Sequence, residues 1–345
     1  MNTRVRYRLP NENHYTILIQ RKGLPEALTS PAALNGKQGF VFAPFMPSLQ
    51  CPLLLMQPDE ITVRKVEEAA LCTGYPLSQG ATPADRIAYR DAFRHFLSPL
   101  QSGAFRKIVL ARCLHLPRNQ SRSADQLFLT ACRLYPHLFV ALIEMPQSGT
   151  WLMATPEVLL KGEGGAWSTM ALAGTQPAED FEEPLEPMLW SAKNREEQQY
   201  VASYISDILQ HYADGMQVSE PHTVRAARLC HLCTDFRFRL RDEEHVGDLL
   251  EALHPTPAVC GIPKLETRRF ILENETAERG YYAGFCGPLM SEGETHLFVS
   301  LRCMQILDTE YCLYAGGGLL RESEEEQEWK ETESKLQTMK ILIDS

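Results

Sequence analysis

A carboxylate directed into an apolar core needs a cation beside it, and two helical segments of this sequence raise that need. Glu197 lies four residues before Val201, and Val201, Tyr204, Ile205, Ile208 and Leu209 form an i, i+3, i+4, i+7, i+8 stripe, so on one helix Glu197 shares the core-facing side. Nearer the end of the chain, Trp329, Thr332, Leu336, Met339 and Ile343 mark the inner face of a second helix, with Glu328, Glu331 and Lys335 on or beside it. Most acids of ESEEEQEWKETE read as a solvated surface, with Glu331 set apart from them. Inward glutamates from two helices suit Mg²⁺, which is commonly held by one or two carboxylates while it keeps waters and meets a substrate oxyanion. A pair of buried salt bridges would satisfy the same pattern.

Three further features could do chemistry. Lys107 opens KIVLAR, where strand alternation sets it with Val109 and opposite Ile108 and Leu110. On a buried face a lysine can lose its proton and act as a base; on an edge strand its head would reach water instead. Glu157, in ATPEVLL, has apolar neighbours that would raise its pKa and suit a general acid, unless it sits on the rim of a turn after Pro156. Gly316, Gly317 and Gly318 follow a strand and precede the last helix, so backbone N–H groups there could approach an anion, or the three could form a flexible turn.

The elements that must position these residues are legible for most of the chain. Helical spacing is predicted for ADRIAYRDAFRHFLSPL, for SADQLFLTACRLY with Ser or Asp as N-cap, for Asn194 to Ala213, for VGDLLEALH and from Glu324 onward. Strand-like runs are RKIVLARCLHL, LFVALIEM, TWLMATPEVLLKG, AWSTMALAG, ARLCHLCTDFRFRL, YYAGFCGPLM, LFVSLRCMQIL and YCLYAGGGLL. Short links between neighbouring strands imply antiparallel pairing, hence an α+β protein. Residues 1 to about 80 read only as short strands and loops, such as Tyr15 to Ile19 and Leu53 to Met56.

Composition narrows the function classes. With 345 residues, 44% hydrophobic and 23% charged, the chain can bury a large core. A net charge of −10 disfavours nucleic acid, though a cleft can still gather cations for a small anion. No apolar run approaches the roughly 20 residues of a membrane span, and the first twenty residues do not read as a signal peptide, so a cytoplasmic location is expected. Cysteines in strand-like contexts, including Cys260, Cys286, Cys303 and Cys312, read as buried free thiols. Cys230 and Cys233 have the spacing of half a zinc site, but no matching CxxC follows.

The order of KIVLAR, ATPEVL, ALAGTQP, SAKNREEQQYV, LCHLCT, LHPTPAVCGIPK, ERGYYAGF, SLRCMQI, YAGGGLL and EQEWKETESKLQTM resembles that of the chorismate-utilising isochorismate, salicylate, anthranilate and aminodeoxychorismate synthases, over about residues 100 to 342. The resemblance implies one large α+β domain of two packed antiparallel sheets with outer helices. Residues 1–95 would be a divergent N-terminal part of that domain and 96–345 its chorismate-binding core. It implies Lys107 as the base that activates water for attack at C2 of chorismate, and Glu157 as the acid that protonates the departing C4 hydroxyl. It implies Glu197 and Glu331 as Mg²⁺ ligands, with Glu328 and the position of Asn194 around them. Tyr282, Arg302 and Gly316 to Gly318 would hold the substrate carboxylates, and Thr175 and Lys335 would line the same pocket.

Within the resemblance, Lys107 stands where ammonia-using members commonly carry Gln, which points to water as the nucleophile. Ala173 stands where members that form a covalent adduct carry a lysine, and Ala258 where the similar salicylate synthases carry Thr. The expectation is therefore an isochorismate synthase, an isomerase serving menaquinone or siderophore synthesis, with no obligatory glutamine amidotransferase subunit. The rivals are a salicylate synthase, an anthranilate synthase component I, and a catalytically silent chorismate-binding homologue. Asn194, where the family usually has an acid, and Gln198, where it usually has His, are departures that bear on Mg²⁺ affinity.

Overall fold

Capped helices and alternating apolar strands follow one another along the chain, and the computed structural model, which describes residues 3–67, 80–118, 122–177, 189–226, 229–290 and 293–344, shows how they pack. Helix α1 (Pro83–Gln101) starts at Thr82, whose hydroxyl accepts from the Asp85 amide while the Asp85 carboxylate accepts from the Thr82 amide. Ser123 and Gln126 repeat the device for α2 (Ala124–Leu134), and Ser191 caps α3 (Ala192–Tyr212). Helices α4 (Val246–Leu253), α5 (Lys264–Asn274) and α6 (Glu325–Asp344) complete the set among the described residues. None of these is long and apolar enough to cross a membrane.

The strand pairs of the described residues are antiparallel, in two sheets. The first sheet runs Gly261–Ile262, Lys107–Pro117, Glu310–Leu319, Cys303–Ile306, Gly149–Thr155, Phe139–Met145, Thr3–Arg8, His14–Gln20, Glu60–Lys65. The second runs Ala213–Val218, Leu229–Leu240, Ala166–Pro177, Val158–Glu163, Glu294–Val299, Phe285–Leu289, Gly39–Ala43, Leu53–Met56, Glu26–Leu28, with His222–Ala226 also paired to Leu229–Leu240. The sheets pack face to face: the ring of Phe139 from the first stacks on Phe298 from the second at 4.2 Å, and Trp151 meets Phe42 edge-on. On the outer side of the first sheet, α2 and α6 cover Leu114, Leu116, Leu142, Leu152 and Leu313. Helix α3 buries Val201, Ile205 and Leu209 against the second sheet. Two packed antiparallel sheets with outer helices, in one α+β domain, are what the resemblance implied.

Two runs read as single strands are each divided between the sheets. TWLMATPEVLLKG is Gly149–Thr155 in the first sheet and Val158–Glu163 in the second. LFVSLRCMQIL is Glu294–Val299 in the second and Cys303–Ile306 in the first. Apolar residues flank each crossing on both sides, so the run continues through it unmarked. YYAGFCGPLM is strand only over Phe285–Leu289. The triple glycine lies inside Glu310–Leu319, opposite Ala111, Leu110 and Val109, as the strand-like run YCLYAGGGLL had it, and does not form a loop or turn after the strand.

Candidate active site

A cavity of about 620 Å³, open mouth included, lies where the chain crosses between the sheets. Its wall takes Pro156 and Glu157 from one crossing and Leu301 and Arg302 from the other. Each crossing is pinned: the Val299 amide donates to Glu157 O at 2.9 Å, and the Ala154 amide to Arg302 O at 3.0 Å. Arg302 has φ +45°, a left-handed conformation unusual for a residue with a side chain, which turns it inward at the junction.

Glu157 is 3% exposed, so it is a wall residue and not the rim of a turn. Burial pushes its carboxyl up to about 8, against the opposing pull of the Lys107 and Lys335 charges. Arg302 is also buried, with Nη1 donating to Thr338 Oγ1 at 3.2 Å and Nη2 to His231 Nε2 at 2.9 Å. Among the described residues no carboxylate forms an ion pair with that guanidinium; Glu331, the acid whose charge acts on it most, is paired with Lys335 instead. Burial lowers the guanidinium to about 10, which leaves it charged at neutral pH. A buried cation facing a cavity with no carboxylate of its own is placed to receive one from a ligand.

His231 holds Arg302 in that pose. Burial, with the Arg302 and Lys335 charges, pulls its pKa well below the ordinary value, so the ring is neutral. Its partners assign the tautomer: Nδ1–H donates to Gly174 O at 3.1 Å, leaving Nε2 to accept from Arg302. Gly174 sits at a bulge between Ala173 and Thr175, with φ +73°, and a side chain there would press on Asn194 at 3.1 Å. The bulge brings Thr175 to the cavity wall beside His231.

Lys107 is fully buried, its Nζ 3.1 Å from Glu197 Oε1 and donating to Pro257 O at 2.7 Å. Its head therefore does not reach water, and it lies behind the wall formed by Glu197 and Gly318. Lys193 reaches from α3 to Glu328 on α6, where Lys335 pairs with Glu331 at 2.7 Å while donating to Gly316 O at 2.8 Å. Each of Glu197, Glu328 and Glu331 thus meets one lysine. Burial, with Glu331 nearby, pushes Glu328 up to about 7. Burial also opposes ionisation of Glu331, but the Lys335 charge and hydrogen bond outweigh it and hold the carboxyl below its ordinary value.

The glycines make room for these groups. A Cβ on Gly318 would stand 2.1 Å from Glu197 Oε1 and 2.9 Å from Lys107 Cε; on Gly316, 2.8 Å from the Tyr282 hydroxyl; on Gly317, 3.0 Å from Glu328 Oε2. None of the three has positive φ, so the need is for space and not for an unusual backbone. Tyr282 is buried, stacks on Tyr314 at 5.4 Å and lines the cavity.

The donor set fits a hard cation. Among the described residues Glu328 Oε2 is buried without a hydrogen-bond partner, and the carboxylates gather around one strand. The three glutamates are not among the described groups of three or more whose ligand atoms all lie within 4.8 Å, so they form no closed cage. Mg²⁺ requires none, since waters and a substrate oxygen complete its shell. Asn194 lines the adjoining cleft with Lys193, Glu328 and Glu331. Gln198 is buried and donates to Thr234 Oγ1 at 2.7 Å.

The structure thus brings Glu157, Thr175, Glu197, Tyr282, Arg302, Gly316, Gly318 and Lys335 to one cavity, with Lys107, Glu328, Glu331 and Gly317 directly behind or beside it. His231 was missed as a site residue. It is one polar residue within LCHLCT, and its partner Gly174 O is 57 positions away in sequence. Cys230 and Cys233, three apart on one strand, face opposite ways and cannot share an ion.

The family model described as chorismate binding enzyme matches residues 61–343, and the chain belongs to that family. Isochorismate synthase DhbC of Bacillus subtilis is 31% identical over 265 residues, 73% of this chain and 66% of that protein. Isochorismate synthase EntC of Escherichia coli is 30% identical over 238 residues, 68% of this chain and 61% of that protein. The chain therefore spans just under two thirds of the length of these relatives. MenF, the menaquinone-specific isochorismate synthase from Escherichia coli, shares the fold with a TM-score of 0.80 at 22% identity, over 99% of this chain and 88% of that one.

Proposed function

We propose that the chain is an isochorismate synthase, adding water at C2 of chorismate and expelling the C4 hydroxyl. The observation that carries this reading is the pairing, in one cavity, of a buried Arg302 without a carboxylate partner among the described residues and a buried Glu157 that keeps its proton to about pH 8. Arg302, held by neutral His231, binds a substrate carboxylate, and Tyr282 packs beside it. Glu157 gives its proton to the departing C4 hydroxyl, which leaves as water.

Lys107 takes the proton of the attacking water. In the observed pose its Nζ is an ammonium held by Glu197 and Pro257 O behind the cavity wall, so the role requires Glu197 to turn away and the ammonium to release a proton to solvent before it accepts one from the attacking water. Glu197 and Glu331 would hold Mg²⁺, with Glu328 beside them. Bound there, Mg²⁺ would supply positive charge against the ring carboxylate as the double bonds shift. Ala173 and Ala258 line the cavity where covalent-adduct and salicylate-forming members carry Lys and Thr, which favours release of isochorismate. The free thiols of the described cysteines accord with a cytoplasmic setting.

The test is to incubate the protein with chorismate and Mg²⁺, with and without EDTA, and identify products by chromatography and mass spectrometry. An EDTA-sensitive isomer of unchanged mass is expected. Salicylate with pyruvate, anthranilate formed with ammonia, or bound but unconverted chorismate would each overturn the assignment.

A further inference from the structure

Farther along the two strands that carry Lys107 and the triple glycine, a second group of ligating side chains occupies the same sheet face. His115 stands directly opposite Cys312, and Cys113 is opposite Tyr314, so Cys113, His115 and Cys312 project to one side as neighbours. Their ligand atoms all lie within 4.8 Å of one another. Cys312 Sγ is 3.5 Å from His115 Nδ1 and 3.9 Å from Glu310 Oε1, and His115 Nδ1 is 3.3 Å from Glu310 Oε2. A tetrahedral Zn²⁺ with Zn–S near 2.3 Å and Zn–N near 2.0 Å sets its ligands about 3.3 to 3.8 Å apart. The spacings among Cys312, His115 and Glu310 approach that polyhedron, and Cys113 Sγ lies within 4.8 Å of the Cys312 and His115 ligand atoms.

We propose that Cys113, His115 and Cys312, with Glu310 or a water in the fourth position, form a binding site for a thiophilic divalent cation of the Zn²⁺ class. The site is graded in burial, with Cys312 buried, Cys113 and Glu310 half-buried and His115 exposed, so an ion enters from the solvent side. Two thiolates and an imidazole select a softer ion than the carboxylates around Gly318 do, and the two sites do not share a ligand. Binding displaces both thiol protons to solvent.

The experiment uses the full chain, reduced with a phosphine, stripped with a chelator and titrated with Co²⁺ as a spectroscopic probe. A thiolate-to-Co²⁺ charge-transfer band should grow to saturation at one ion per chain and collapse on addition of Zn²⁺. The band should be lost in Cys113→Ser and Cys312→Ser and kept in Cys51→Ser and Glu197→Gln. Should the serine variants fold poorly, the unaltered protein gives a second reading: Zn²⁺ should protect Cys113 and Cys312, but not Cys51, from alkylation mapped by peptide mass spectrometry. Absence of the band at saturating Co²⁺, its survival in both serine variants, or unprotected Cys312 would overturn the site.

Discussion

Glu157 and Arg302 are both buried on the cavity wall, and among the described residues neither forms an ion pair, which leads in each case to a measurable outcome. Because burial raises the Glu157 carboxyl to about 8, its acid form persists below that pH and is lost above it. Turnover that depends on Glu157 as a proton donor should therefore fall as pH rises through about 8. Glu157→Gln should remove that limb and lower kcat by about 10²- to 10⁴-fold, checked by pH-rate profiles of both proteins. Arg302→Met replaces a buried charge by an apolar side chain of similar reach. KM for chorismate should rise about 10- to 100-fold while the melting temperature of the free protein holds or increases, measured by steady-state kinetics and thermal unfolding. Of these groups, Glu197 was legible from the helical stripe and Glu157 from its apolar flanks. His231 was not, because a residue that works by bonding to a distant carbonyl leaves no local periodicity.

Among the elements, the strand Glu310–Leu319 is shaped by what must pass close to it. Three consecutive glycines weaken a strand, yet the ladder to Lys107–Pro117 continues through them because larger side chains would meet Glu197, Tyr282 and Glu328. The run YCLYAGGGLL read as strand-like through the glycines, while GGG by itself reads as a turn; what the sequence did not show is the set of neighbours, from other elements, that requires three small residues there. Gly318→Ala should force Glu197 off its position, costing about 1–3 kcal/mol of stability by overpacking and weakening the response of activity to Mg²⁺. Chemical denaturation and Mg²⁺ titration of activity measure the two effects separately. Arg279 shows a different kind of support: buried against Glu275, it donates to Val259 O at 2.7 Å and Val109 O at 2.9 Å, tying the loop before α5 to the first sheet beside Tyr282.

For the molecule as a whole, the site exists because two sheets exchange strands at Pro156–Glu157 and at Leu301–Arg302. Alternating apolar runs announced antiparallel sheets, but apolar residues continue from one half of each run into the other, so the sequence read two strands where four are present. Helices α3 and α6 close the cavity by bringing Glu197 and Glu331 to it from opposite layers, each beside a lysine. The proposed chemistry turns on water, and not an internal hydroxyl transfer, attacking the ring. The decisive measurement is turnover of chorismate with Mg²⁺ in oxygen-18 water. An isomer of chorismate carrying one atom of oxygen-18 at C2 is expected; an isomer without the label, or no conversion at all, would contradict attack by water.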